Sequence, residues 1–122
     1  MCPFSFNVTY TQNASESDFY DRNGVITHAV INVVEQDTFS NAGKTLVSLP
    51  FAYNFIYFWD ANGNVTHGYN VGITEKIPLP DGRLFISAGR FDWLDHPGAI
   101  IVLSPDHGNP GDLDAFCAAL AP

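Results

Sequence analysis

Basic residues are scarce in this sequence. Lys and Arg together number five among 122 residues, whereas Asp and Glu number 13, and the formal net charge is −8. The phosphates of a nucleic acid and the headgroups of an anionic membrane would both repel a chain of this charge. We therefore expect neither nucleic acid nor a membrane among its partners, and we interpret the acidity as an aid to solubility.

Long apolar runs and a leader segment are also missing. No run approaches the roughly 20 apolar residues that cross a bilayer, and no basic segment followed by an apolar one opens the chain. Met1 stands directly before Cys2, so we expect a signal peptide that is not part of this sequence. Hydrophobic residues make up 46% of the chain, which is enough for the core of a single domain over residues 1–122.

Cysteine is rare, and its two occurrences lie near opposite ends, at Cys2 and Cys117. Their spacing fits no zinc site, which needs more ligands close by. Either the two form a disulfide or they are separate buried thiols. We favour the disulfide, which would close a very long loop and contribute about 4–5 kcal/mol in the chain-entropy model. Such a bond implies an oxidising compartment, and hence a secreted, extracellular protein.

Strand patterns dominate the rest of the chain. Alternating or β-branched runs predict strands over residues 4–11, 17–20, 25–38, 45–59, 65–75, 83–93 and 99–103. Pro50 marks a bulge, an edge or a break within the fourth run. The one predicted helix follows Asp112, a good N-cap, with apolar residues at helical spacing from Leu113 to Leu120. We predict an all-β fold, a single antiparallel barrel of about eight strands with a short C-terminal helix.

One segment of the sequence is repeated. Residues 19–28 align without gaps on residues 58–67, and both contain Asp-x-Asn-Gly. The Asp side chain caps a turn and Asn-Gly supplies the positive φ angles, so two similar hairpins are predicted. A calcium loop would need further oxygen ligands and a closing Glu. We expect no metal and no other cofactor.

Short motifs along the chain resemble a group of secreted actinobacterial proteins. The matching stretches are residues 2–4, 19–24, 43–44, 58–64, 79–84, 88–90 and 116–120. The resemblance implies secretion and a barrel laid out like those of allene oxide cyclases, dirigent proteins and lipocalins. It transfers no catalytic residue, because none of the functional motifs of those families occurs here.

The strand after Pro50 has an unusually aromatic face. Its alternate residues are Phe51, Tyr53, Phe55, Tyr57 and Trp59. A small barrel is just wide enough either to fill itself with such rings or to hold one small ligand. Buried phenols need polar partners, which favours a cavity. The candidate ligand-binding residues are Tyr53, Phe55, Tyr57, Trp59 and Tyr69, and the expected partner is a small apolar molecule; self-association stays open.

Catalytic residues are unknown, and four side chains are candidates. His28 and His67 are equivalent in the repeat, and alternation predicts that both point into the barrel; the alternative is a half-solvated place at its mouth. Arg90 and Asp92 share one face of their strand. Facing inward they would form a buried ion pair, but facing outward they would simply be solvated, which we favour.

Three functions follow from these patterns. The first is an extracellular barrel that binds a small apolar or aromatic molecule. The second is a cyclase or isomerase-type lyase that acts on an apolar substrate in the same cavity. The third is a structural or partner-binding domain with a filled core. A cavity above ~300 Å³ would separate the first two from the third.

Overall fold

The computed structural model describes all 122 residues. Seven strands follow one another along the chain: β1 (Asn7–Tyr20), β2 (Ile26–Asn41), β3 (Lys44–Val47), β4 (Phe51–Trp59), β5 (Val65–Pro78), β6 (Leu84–Asp92) and β7 (His107–Asn109). A single 3₁₀ turn, Trp93–Asp95, follows β6, and helix α1 (Leu113–Leu120) closes the chain. No helix has the length and apolar character needed to span a membrane.

All seven strands belong to one antiparallel sheet. Its order is β1-β2-β4-β5-β6-β7, and β3 pairs with the end of β2 beyond β4. The all-β antiparallel class and the C-terminal helix are therefore confirmed. Closure into a barrel of about eight strands is not confirmed, because β1 and β7 are unpaired edges.

One predicted strand is wrong, and two others merge. Residues 99–103 make no ladder, although Val102 and Leu103 are buried. Pro97, Gly98 and Pro105 flank this segment, so it crosses the sheet as an irregular cover. The predicted runs 4–11 and 17–20 are parts of the continuous edge strand β1, and Pro50 separates β3 from β4.

The repeated motif forms two similar hairpin turns, as predicted. Asp21 Oδ1 accepts hydrogen bonds from the backbone N–H groups of Asn23 and Val25, at 2.8 and 3.0 Å. Asp60 Oδ1 accepts the equivalent pair in the second turn, both at 2.9 Å. These turns join β1 to β2 and β4 to β5, and so set the register of those two strand pairs.

Helix α1 packs against one end of the sheet and forms the main core there. The rings of Phe39 and Phe116 meet edge to face at 5.2 Å. Cys2 and Cys117 form the predicted disulfide, with Cα atoms 5.3 Å apart. The buried members of this core are Phe39, Leu46, Ile77, Leu79, Phe85, Leu103, Ala115, Phe116 and Leu120. The bond thus ties the N-terminal segment and the helix to the same core.

Reduction of the disulfide is expected to destabilise the protein, because the bond spans 115 residues and limits the entropy of the unfolded chain. We expect the melting temperature to fall by roughly 10 °C or more when a reductant is added. Circular dichroism melts with and without reductant measure this, and the double variant Cys2→Ser/Cys117→Ser is the control that should not respond. An unchanged melting temperature, or two free thiols in the folded protein, would contradict the assignment.

Candidate functional site

A cavity of about 640 Å³ lies between one face of the sheet, here called the inner face, and residues 100–102. Strand alternation places Gln12, Glu35 and Tyr53 on this face. Gln12 is the ladder partner of Glu35, and Val33 that of Tyr53. Residues of β1, β2, β4 and β5 and of the 100–102 segment line one space. The sheet therefore curves around the cavity.

The rings of Tyr53, Phe55, Tyr57 and Trp93 form an aromatic wall along the cavity. Phe55 lies 4.4 Å from Tyr57 between ring centroids and stacks on Trp93 at 6.1 Å. Trp93 Nε1 donates a hydrogen bond of 2.9 Å to Asn70 Oδ1, which holds the indole in place. This wall presents flat apolar surfaces to anything inside the cavity.

The cavity lining also contains acidic side chains. Glu35 and Asp37 of β2 and Glu75 of β5, here called the carboxyl row, line the cavity, and no Lys, Arg or His does. Glu35 is half-buried, whereas Asp37 and Glu75 are each 1% exposed. Buried carboxyls without a basic partner are unusual in proteins.

Glu35 has two neutral hydrogen-bond donors. Tyr53 Oη donates to Glu35 Oε2 at 2.7 Å, and Gln12 Nε2 donates to the same oxygen. Burial raises the pKa of Glu35, while the two donors lower it. Burial, with the hydrogen bond to Glu35, raises the pKa of Tyr53, so its phenol stays protonated.

Asp37 and Glu75 form the deeper end of the carboxyl row. Burial raises the pKa of the Glu75 carboxyl far above its ordinary value, and the hydrogen bond and charge of Asp37 raise it further. A buried carboxyl beside a second carboxyl ionises with difficulty, so Glu75 keeps its proton at neutral pH. Neither Asp37 Oδ1 nor Glu75 Oε2 has a hydrogen-bond partner.

The carboxyl row was missed in the sequence, although a signal was present. Glu35 and Asp37 share a period-2 face with Val33 and Phe39, both of which are buried. A charged pair in the middle of such an apolar face is the pattern of a buried site. Glu75 is harder to assign, because a bulge between Ile73 and Glu75 breaks the alternation of β5.

Three of the five predicted ligand-binding residues line the cavity: Tyr53, Phe55 and Tyr57. Trp59 follows them on β4, with its ring centroid 5.7 Å from that of Tyr57. It does not line the cavity. Tyr69 lies on the opposite face of the sheet, here called the outer face. There the Arg90 guanidinium lies 4.5 Å from the Tyr69 ring centroid. Binding by the three cavity residues remains a prediction.

The two histidines share one side of the sheet, as predicted, but it is the outer face, so the predicted inward orientation is wrong. Both contact Phe58, with ring centroids 5.4 Å away for His28 and 5.9 Å for His67. The residue after each histidine explains why the histidines face outward. Ala29 and Gly68 are the ladder partners of Tyr57, and only such small residues leave room for its ring on the inner face.

Arg90 and Asp92 also lie outside the cavity, as the solvated interpretation expects. Arg90 is exposed. The Asp92 carboxylate accepts a hydrogen bond of 3.1 Å from Leu94 N–H and so caps the 3₁₀ turn. The structure brings none of the four candidate catalytic residues into the cavity, and it contains no group of three or more His, Cys, Asp or Glu arranged to hold a metal ion.

Comparison with known proteins leaves this site to be interpreted from its own chemistry. No family model, curated protein or solved structure matches the chain. The resemblance to secreted actinobacterial proteins therefore stays a prediction. What the chain can do has to be read from the aromatic wall and the carboxyl row.

The raised pKa of Glu75 predicts how stability depends on pH. Between its ordinary value of 4.5 and the raised folded value, the folded state binds one proton more than the unfolded state. Stability therefore falls as pH rises through this window, by about 1.4 kcal/mol per pH unit for one proton. Glu75→Gln, which cannot ionise, should remove that part of the slope and be more stable than the parent protein at pH 8.

Urea unfolding at pH 5, 6, 7 and 8 measures the two slopes. The matched control is Asp95→Asn, which removes an exposed carboxylate outside the cavity and should keep the parental slope. If the free energy of unfolding changes with pH to the same extent in Glu75→Gln and in the parent, Glu75 is instead ionised in the folded protein.

Proposed function

We propose that this protein is an extracellular binding protein that holds a small apolar or aromatic molecule in the cavity of its curved sheet. The observation that carries the proposal is the aromatic wall beside about 640 Å³ of space. Pockets for small molecules are usually about 300–1,000 Å³, mostly apolar, with a few polar groups that orient the ligand. Tyr53, Gln12 and the carboxyl row are suited to that orienting role.

Two further features support the proposal. The disulfide is typical of proteins from an oxidising compartment, which fits secretion. The curved sheet, with residues 100–102 across its open side, fits a partly closed barrel in which that segment takes the place of a missing strand.

A cyclase or isomerase is the second candidate. The observation in its favour is that Tyr53, Glu35, Asp37 and Glu75 line one cavity, where such groups could donate and accept protons. His28 and His67, on the outer face, would take no part. A structural domain with a filled core is less well supported, because the cavity exceeds the ~300 Å³ that separates these functions.

The binding proposal is tested with N-phenyl-1-naphthylamine, a neutral aromatic probe that fluoresces more strongly in an apolar site. We expect saturable binding in the micromolar range, accompanied by quenching of tryptophan emission, since Trp93 lines the cavity. Ala14→Phe places a ring in the cavity from β1 and should weaken binding at least tenfold.

Ala52→Phe is the matched control for this variant. Ala14 and Ala52 are both exposed residues of strands, but Ala52 pairs with Val34 on the outer face. It should therefore bind the probe like the parent protein. No binding to the parent, or equal loss in both variants, would show that the cavity is not the site.

A further inference from the structure

The basic residues of the chain all lie away from the cavity. Arg83 pairs with Asp81 and Asp112 in the β5–β6 turn and at the start of α1, and Lys44 donates to the carbonyl of Ala121. Arg90 lies over the ring of Tyr69 on the outer face. Lys76 is the ladder partner of Ile86 and also lies on the outer face. Arg22 is exposed in the first hairpin turn. The carboxyl row has no cationic partner within the chain.

The carboxyl row also has unused hydrogen-bond capacity. Asp37 and Glu75 are each 1% exposed and line the cavity, yet Asp37 Oδ1 and Glu75 Oε2 accept no hydrogen bond from another residue. Glu35 already accepts hydrogen bonds from Tyr53 and Gln12. Buried oxygens without donors are costly, and a ligand that brings N–H groups would remove that cost.

The aromatic wall adds a second attraction for positive charge. The faces of Tyr and Trp rings carry a negative quadrupole potential and attract cations within about 6 Å of the ring centroid. Tyr53, Tyr57 and Trp93 line the same cavity as the three carboxyls. A bare metal ion is a poor match for this environment, since no group of side chains is arranged to hold one.

We propose that the cavity selects an organic cation: a primary or secondary ammonium group carried on an aromatic or branched apolar body. The inference rests on the binding function proposed above and names its ligand class. The ammonium N–H groups contact the carboxyl row beside Tyr53, and the apolar body lies on Phe55, Tyr57 and Trp93. The net charge of −8 draws such a cation toward the protein.

Three probes of nearly equal size test the inference at pH 7: 2-phenylethylamine, which is a cation, 2-phenylethanol, which is neutral, and phenylacetate, which is an anion. Binding is followed by calorimetry and by the indole N–H signals of the two tryptophans in ¹⁵N NMR spectra. We expect the amine to bind at least tenfold more tightly than the alcohol, phenylacetate to bind weakest, and the amine to shift the Trp93 signal.

Two single-charge variants locate the selectivity. Glu35→Gln keeps an acceptor for Tyr53 and should reduce the preference for amine over alcohol to less than threefold. Asp95→Asn removes one charge at an exposed position outside the cavity and should keep the full preference. Asp37→Asn repeats the test at a more deeply buried member of the carboxyl row. If Asp37→Asn does not fold, the result with Glu35→Gln decides.

The possible failures can be told apart. Equal binding of amine and alcohol, or equal loss of preference in Glu35→Gln and Asp95→Asn, would overturn the cation inference and leave the proposed binding function intact. If the naphthyl probe binds but the amine does not displace it, the cation inference is again overturned. No binding of any of the four compounds would overturn both.

Discussion

The packing of large rings on β4 over small residues of its two neighbours decides which face of the sheet is inside. Tyr57 lies opposite Ala29 on β2 and Gly68 on β5. A Cβ atom added at Gly68 would come within 3.2 Å of the Tyr57 ring, tighter than ordinary van der Waals contact. Because side chains alternate along a strand, this choice also fixes which face the other residues of the three strands occupy, as far as the bulge between Ile73 and Glu75 in β5.

The same constraint separates the chemistry of the two faces. It places Glu35 and Asp37 on the inner face of β2 and leaves His28 and His67 on the outer face. The acids, which would be solvated under the opposite choice, become buried without a basic partner. Burial of such groups without a basic partner lowers stability.

Much of the fold could be predicted from the sequence, because its signals are local. Asp-x-Asn-Gly specifies its own turn, Asp112 caps the helix, and two cysteines near the termini have one obvious partner each. Residues 99–103 show the limit of such reasoning, because an apolar segment can be buried without pairing. Alternation selected the wrong face of β5, because the face that lines the cavity carries small and polar residues such as Gly68, Asn70 and Thr74. It could not select a face of β6, where both faces are apolar enough for a core.

The site was predictable only in part, because the sequence shows patterns within one strand but not which distant residues meet. The aromatic row of β4 is visible as a pattern within one strand, and Tyr53, Phe55 and Tyr57 do line the cavity. The carboxyl row joins residues of β2 and β5 that are about 40 positions apart, and their meeting depends on ladder register and on a bulge. Trp93 joins them from beyond the end of β6.

The most direct test of an acidic interior is a ¹³C NMR titration of the side-chain carboxyl carbons. Glu75 lies buried in the cavity lining with Asp37 and keeps its proton. Its carboxyl signal should then show no ionisation between pH 4 and pH 8. A Glu75 signal that titrates near its ordinary value of 4.5 would contradict the account, because that carboxyl would then be solvated.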